Sequence, residues 1–138
     1  MADDRLGDDE IVFRRIPPTL PWFEPPDRIS TANFKLNVRD NERGISVYRQ
    51  AVVTAAAVLA RPDAIAGSLL VQCTVGEIRN LKNGKGESLQ LDVIRVDDET
   101  NPGHAELQGP TPGKLTDAAA KRLRDVFVPW RTPSPPAS

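Results

Sequence analysis

The chain has 138 residues, 39% of them hydrophobic and 27% charged, with 18 Lys and Arg against 19 Asp and Glu for a formal net charge of -1. A chain this long fits one domain and buries roughly two thirds of the surface its unfolded form exposes. Its balanced charge argues against a general electrostatic grip on nucleic acid or an anionic membrane.

A single cysteine, Cys73, excludes an intramolecular disulfide, and a single histidine, His104, excludes a Cys/His zinc constellation. No acidic cluster has the loop spacing of an all-oxygen cation site, so neither metal nor cofactor is expected. The acidic start MADDRLGDDE lacks the order of a signal peptide, and no apolar run approaches the ~20 residues of a membrane span. The expectation is a soluble protein of a reducing, cytoplasmic compartment.

In chain order, residues 1–10 read as a flexible acidic arm, since acidic residues dominate them and apolar ones are scarce. Residues 11–16, IVFRRI, suit a strand that ends at a proline pair. The prolines of residues 17–26 forbid a helix and predict an extended polyproline-like loop. A second extended stretch is expected over residues 29–36, and a short strand over residues 45–48. The alanine-rich run from Ala51 to Ala60 predicts a helix that Pro62 stops.

Residues 69–73, LLVQC, form the most apolar strand candidate and are expected at the centre of the sheet. Thr74-Val75-Gly76-Glu77 then has capping-box spacing and opens a short helical turn. The NGKGE stretch predicts a turn, and alternation of Leu89, Leu91 and Val93 with polar residues predicts a half-buried strand beside LLVQC. In residues 104–108, HAELQ, Ala105 and Leu107 share one face, and His104, Glu106 and Gln108 the other. Thr116 caps a last helix whose apolar positions Ala119, Leu123, Val126 and Phe127 have helical spacing. The whole reads as a single α+β domain over residues 11–128, a mixed or mainly antiparallel sheet of about five strands with two helices and a short helical turn. A proline-rich tail, residues 129–138, follows.

Arg14-Arg15-Ile16-Pro17-Pro18, Ser30-Thr31-Ala32-Asn33-Phe34, Ile45-Ser46-Val47 and Asn101-Pro102-Gly103-His104-Ala105 occur in that order. In this the chain resembles a set of short bacterial proteins with RRIPP-like, SSAAF-like, SV and NPAHA-like motifs, over roughly residues 11–127. Gly103 stands where that pattern has a small Ala, and the Ala-rich stretch after Tyr48 departs from it. The resemblance implies a bacterial source and one domain, and brings no activity with it.

The sharpest catalytic grouping would place Arg14, Ser30, Thr31, His104 and Glu106 in one cleft. Such a set echoes an ADP-ribosyltransferase layout, in which Arg holds the pyrophosphate of NAD and Glu stabilises the developing ribosyl cation. His104 has the side chain suited to proton transfer near neutrality, but its place after Asn-Pro-Gly also fits a structural histidine at a loop end. Cys73, at the end of an apolar strand, reads as a small buried hydrophobe.

Asn83-Gly84-Lys85-Gly86 lacks the longer run of a phosphate-binding loop. Arg14, Arg15, Lys121, Arg122, Arg124 and Arg131 could gather into a basic patch, yet no interleaved aromatics accompany them, and nucleic-acid binding is not expected.

What remains are two proline-aromatic segments. Trp22 and Phe23 follow Pro21, Trp130 follows Pro129, and aromatics beside stiff backbone are common partner sites, although they serve equally as lids on a core. The reading favoured by the sequence is an accessory or adaptor protein that binds a larger bacterial protein assembly, such as a defence or toxin-related system, through Trp22, Phe23 and Trp130. The alternative is a nucleotide-directed enzyme or toxin that uses Arg14, Ser30, His104 and Glu106 with NAD.

Overall fold

The computed structural model describes residues 6–18, 22–24, 28–35, 44–61, 68–96, 102–111 and 114–130. Strand-forming sequence with alternating burial dominates: β1 (Ile11–Ile16), β2 (Phe23–Glu24), β3 (Arg28–Ile29), β4 (Ile45–Arg49), β5 (Leu69–Thr74), β6 (Asp92–Arg95), β7 (His104–Gln108) and β8 (Val128–Pro129). Helices α1 (Ala55–Leu59), α2 (Val75–Arg79) and α3 (Asp117–Val126) and a 3-10 turn, Thr31–Phe34, complete the set. The main sheet is antiparallel and six-stranded, in the order β6-β7-β4-β1-β5-β8, and β2 pairs with β3 in a separate small hairpin. The α+β class expected from sequence stands, with one strand more than expected.

The period of two along each strand divides the apolar residues between the sheet's two faces. Val12, Ile16, Ile45, Val47, Val71, Val93, Ala105 and Leu107 join Phe34, Ile78, Leu123 and Phe127 in the larger core. Phe34 and Phe127 meet there at 5.2 Å between ring centroids, joining the 3-10 turn to the end of α3. Residues one step along the strands, Phe13, Tyr48 and Leu70, form a smaller core under Ala55 and Val58 of α1.

Helix starts follow local chemistry. Thr54, Thr74 and Thr116 each stand in extended backbone and accept a hydrogen bond from the amide three residues on, and Thr74 and Glu77 complete the expected capping box. α1 is shorter than the Ala-rich stretch suggests, because Thr54 caps it from within and residues 50–52 form a turn. Pro62 lies outside the described residues.

Several other expectations are corrected. Of the extended stretch expected over residues 29–36, Ile29 ends β3 but Thr31–Phe34 form a 3-10 turn that Ser30 caps, and residue 36 lies outside the described residues. β5 is not central: β1 flanks it on one side and the two-residue β8 on the other. Nor is it beside β6, since β1, β4 and β7 lie between them. Leu89 and Leu91 precede β6 rather than belonging to it; between them Gln90 has φ +54°, outside the range of strand backbone. In the predicted polyproline loop, the described Phe23–Glu24 pairs with Arg28–Ile29, and residues 19–21 and 25–27 lie outside the description.

The flexible arm expected at residues 1–10 is docked over its described part. Leu6 is buried in the larger core, and the carbonyls of Asp8 and Glu10 accept the amides of Gly76 at 2.7 Å and Val75 at 2.9 Å. Those amides open α2 and have no partner within the helix. Gly76 is required by this approach, since a Cβ there would lie 2.9 Å from the Asp8 carbonyl oxygen. Residues 1–5 and 131–138, including most of the predicted tail, lie outside the described residues.

Both edges of the sheet are blunted. Val96 donates to the His104 carbonyl, so by alternation the Val93 amide points away from β7, where the Asp92 carboxylate accepts it at 2.8 Å. Arg79 holds that carboxylate through Nε at 2.7 Å and reaches Asp8 through Nη1 at 2.6 Å. At the other edge Trp130 donates to the Leu70 carbonyl at 2.8 Å, which turns Pro129 outward, and proline has no amide to offer.

Candidate functional site

Sheet register gathers one polar strip on the face shared with the smaller core. Tyr48 lies across from His104, and Ser46 across from Glu106. His104 Nε2 and Ser46 Oγ are 3.1 Å apart, the His104 and Tyr48 rings 6.1 Å, and the Arg61 guanidinium lies 5.7 Å from the Tyr48 ring centroid. Glu106 accepts a hydrogen bond from Gln108 Nε2 at 2.9 Å, which engages the carboxylate that the enzyme reading assigned to a ribosyl cation. In chemical terms the strip holds one serine within proton-transfer distance of one imidazole.

Arg14 is spent differently. The β1-β4 ladder covers Val12↔Arg49 and Phe13↔Tyr48, and beyond it Arg14 Nη1 donates to the Ser46 carbonyl at 2.8 Å while Nε donates to the Asn33 carbonyl at 3.3 Å. The guanidinium thus stands in for amides that the parting strands do not supply, and ties the 3-10 turn to the sheet.

Ser30 and Thr31 belong to that turn. Ser30 Oγ accepts from the Ala32 amide at 3.1 Å, and Asn33, fully buried, donates through Nδ2 to the carbonyls of Trp22 and Ser30. Phe34, next in the turn, packs in the larger core with Ala105, whose neighbours His104 and Glu106 point to the other face by strand alternation. Arg14 and His104 therefore meet at Ser46 through different atoms, while Ser30 and Thr31 stay with the turn. The five residues do not converge on one cleft.

Ser46 was missed as a side chain of interest. Its signal was the alternation of Ile45-Ser46-Val47, which places it on the polar face of β4, but a five-residue strand offers little period to read.

Cys73 is buried in the larger core; burial pushes its thiol up to about 12, the Glu77 charge adds to this, and a hydrogen bond with the Thr74 backbone works against it. A thiol so placed stays protonated and unreactive near neutrality. Burial pulls the Arg79 guanidinium down, but its hydrogen bonds to Asp8 and Asp92 and their charges outweigh this and hold it above the ordinary arginine value.

The aromatic segments separate. Trp22 and Phe23 pack half-buried against the larger core, with the Trp22 carbonyl accepting from Asn33 Nδ2 at 2.7 Å and from the Ser30 amide at 3.0 Å. Trp130 packs half-buried against the smaller core. Next to it Val128 is 51% exposed, and Leu69, on the paired strand β5, is 38% exposed. Among the described residues both are exposed large hydrophobics, as is Val52.

Fold and surface together define a small α+β domain built on a six-stranded antiparallel sheet with blunted edges. No protein-family model, curated protein or solved structure matches the chain. Among the described residues no helix is long and apolar enough to cross a membrane, and no group of three or more His, Cys, Asp or Glu could hold a metal ion.

Proposed function

We propose that the protein is a recognition module, an accessory or adaptor subunit of a larger bacterial protein assembly in the cytoplasm, docking through the β5-β8 edge of its sheet. The observation that carries this reading is exposed Val128 of β8 beside half-buried Trp130, on the face of the smaller core by alternation, with exposed Leu69 of β5 on the opposite face of the same edge. Tryptophan is enriched among the few side chains that carry most of the binding energy of protein interfaces. Pro129 blocks strand addition, so docking is through side chains.

The nucleotide-directed reading has no comparable support, because Arg14 is engaged by two carbonyls and Ser30 by the cap of the 3-10 turn. The test is affinity capture of the tagged full chain from its producing cell, beside Val128→Asp. A stoichiometric partner retained by the parent and lost by the variant, at unchanged melting temperature, is the expected result. Equal capture by both, or no partner for either, overturns the reading.

A further inference from the structure

The NGKGE loop, residues 83–87, spans the single antiparallel bridge between Lys82 and Ser88, and Asn83 organises it. The Asn83 amide donates to the Glu87 carbonyl at 2.9 Å, and the Asn83 carbonyl accepts from the Gly86 amide at 3.1 Å. Its side-chain oxygen Oδ1 accepts two further amides, those of Lys85 at 2.8 Å and Glu87 at 3.0 Å. Four of the loop's five amides are thereby engaged. The fifth, that of Gly84, has no acceptor among the described residues.

This free amide is also the one that follows the Asn83 side chain. A backbone nitrogen so placed can attack the side-chain carbonyl carbon of the preceding asparagine and close a succinimide ring, which is why asparagine is thermolabile. Glycine crowds the approach least, and here Gly84 is exposed with nothing within 4 Å of where a Cβ would stand. The two amides on Oδ1 draw charge from the carbonyl carbon and are aimed where the oxyanion of the addition step develops. Asn83-Gly84 is the only Asn-Gly pair in the chain. Asn33, Asn37, Asn41 and Asn80 precede larger residues, and Asn101 precedes Pro102, which has no amide hydrogen to give up.

From this geometry we infer that Asn83 is a self-modification site, at which the chain converts asparagine to aspartyl and isoaspartyl residues with water as the only other reactant. The Gly84 nitrogen bonds to Cγ, the bond from Cγ to Nδ2 breaks, and the Gly84 proton leaves with Nδ2 as ammonia. Water then opens the ring: its hydroxyl adds to one ring carbonyl carbon, the bond from that carbon to nitrogen breaks, and its proton returns to the nitrogen. Opening at Cγ gives the aspartyl chain, and opening at the main-chain carbonyl gives the isoaspartyl chain. Nothing is oxidised or reduced. The aspartyl product places a carboxylate beside that of Glu87, whose Oε1 lies 3.4 Å from Asn83 Nδ2, so the loop ends in like-charge repulsion.

The test incubates the full chain in mildly alkaline heavy-oxygen water and follows its peptides by mass spectrometry, beside the same chain unfolded in urea. Conversion at Asn83 ahead of every other asparagine, with heavy oxygen taken up there, is expected, and it runs no slower in the native chain than in the unfolded one, because the donors to Oδ1 exist only in the fold. Gly84→Ala has room for its Cβ, keeps the melting temperature and converts about tenfold more slowly, since the methyl group crowds the attacking nitrogen. Slower conversion in the native chain than in urea, an equal rate for Gly84→Ala, or conversion first at another asparagine overturns the site.

Discussion

Cys73 and Arg14 show how burial and hydrogen bonding decide what a reactive side chain does. Folding raises the Cys73 thiol from 9.0 to about 12, so the folded form holds its proton more tightly. The stabilisation linked to it is complete below pH 9 and is lost as the pH rises toward 12. Iodoacetamide at pH 8 should therefore modify the native thiol far more slowly than the thiol in denaturant, and equal rates would contradict the burial. For Arg14, replacement by Met removes two hydrogen bonds from a charged donor, the part-buried one to the Asn33 carbonyl and the exposed one to the Ser46 carbonyl, and should cost about 1–3 kcal/mol in urea unfolding. The His104→Ala change removes the exposed hydrogen bond to Ser46 and the ring contact with Tyr48 and should cost about 1 kcal/mol. A larger loss for His104 than for Arg14 would reverse these assignments.

At the scale of elements, Arg79 links α2, the N-terminal segment and the edge strand β6. Its partners differ in exposure: the Asp8 side chain is 77% exposed and that of Asp92 is 29% exposed. Asp8→Ala should change stability by no more than about 0.5 kcal/mol, as an exposed ion pair does. Asp92→Ala should cost about 1–3 kcal/mol, because it leaves Arg79 and the Val93 amide without the carboxylate. It should also raise hydrogen exchange at Val93, and equal costs for the two changes would contradict this ordering.

Such links were not legible in the sequence, because they join residues far apart in the chain. Local signals were legible: the capping box at Thr74, the cap at Thr116 and the alternation of HAELQ all appear as read. Strand order was not, since apolarity marked LLVQC as buried without saying which neighbours bury it. Its neighbour on the outer side is β8, only two residues long and containing a proline.

For the whole molecule, the sequence named the aromatics but could not assign them. Trp22 and Phe23 turn out half-buried on the larger core, with the Trp22 carbonyl bound by Asn33, a fully buried polar residue that no periodicity marks. Trp22→Ala should consequently lower stability, by about 1–3 kcal/mol for a partly buried aromatic, and a partner should be affected only in proportion to unfolding. The exposed Val128 beside Trp130 became visible as an edge feature only once β8 was placed beside β5.

Docking through this edge is tested most directly by photo-crosslinking in the producing cell, with a photoreactive amino acid at position 128 and, as the comparison, at the exposed Arg122 of α3. The account predicts one discrete adduct of a single partner from position 128 and none from position 122. No adduct from position 128, or the same adducts from both positions, would contradict it.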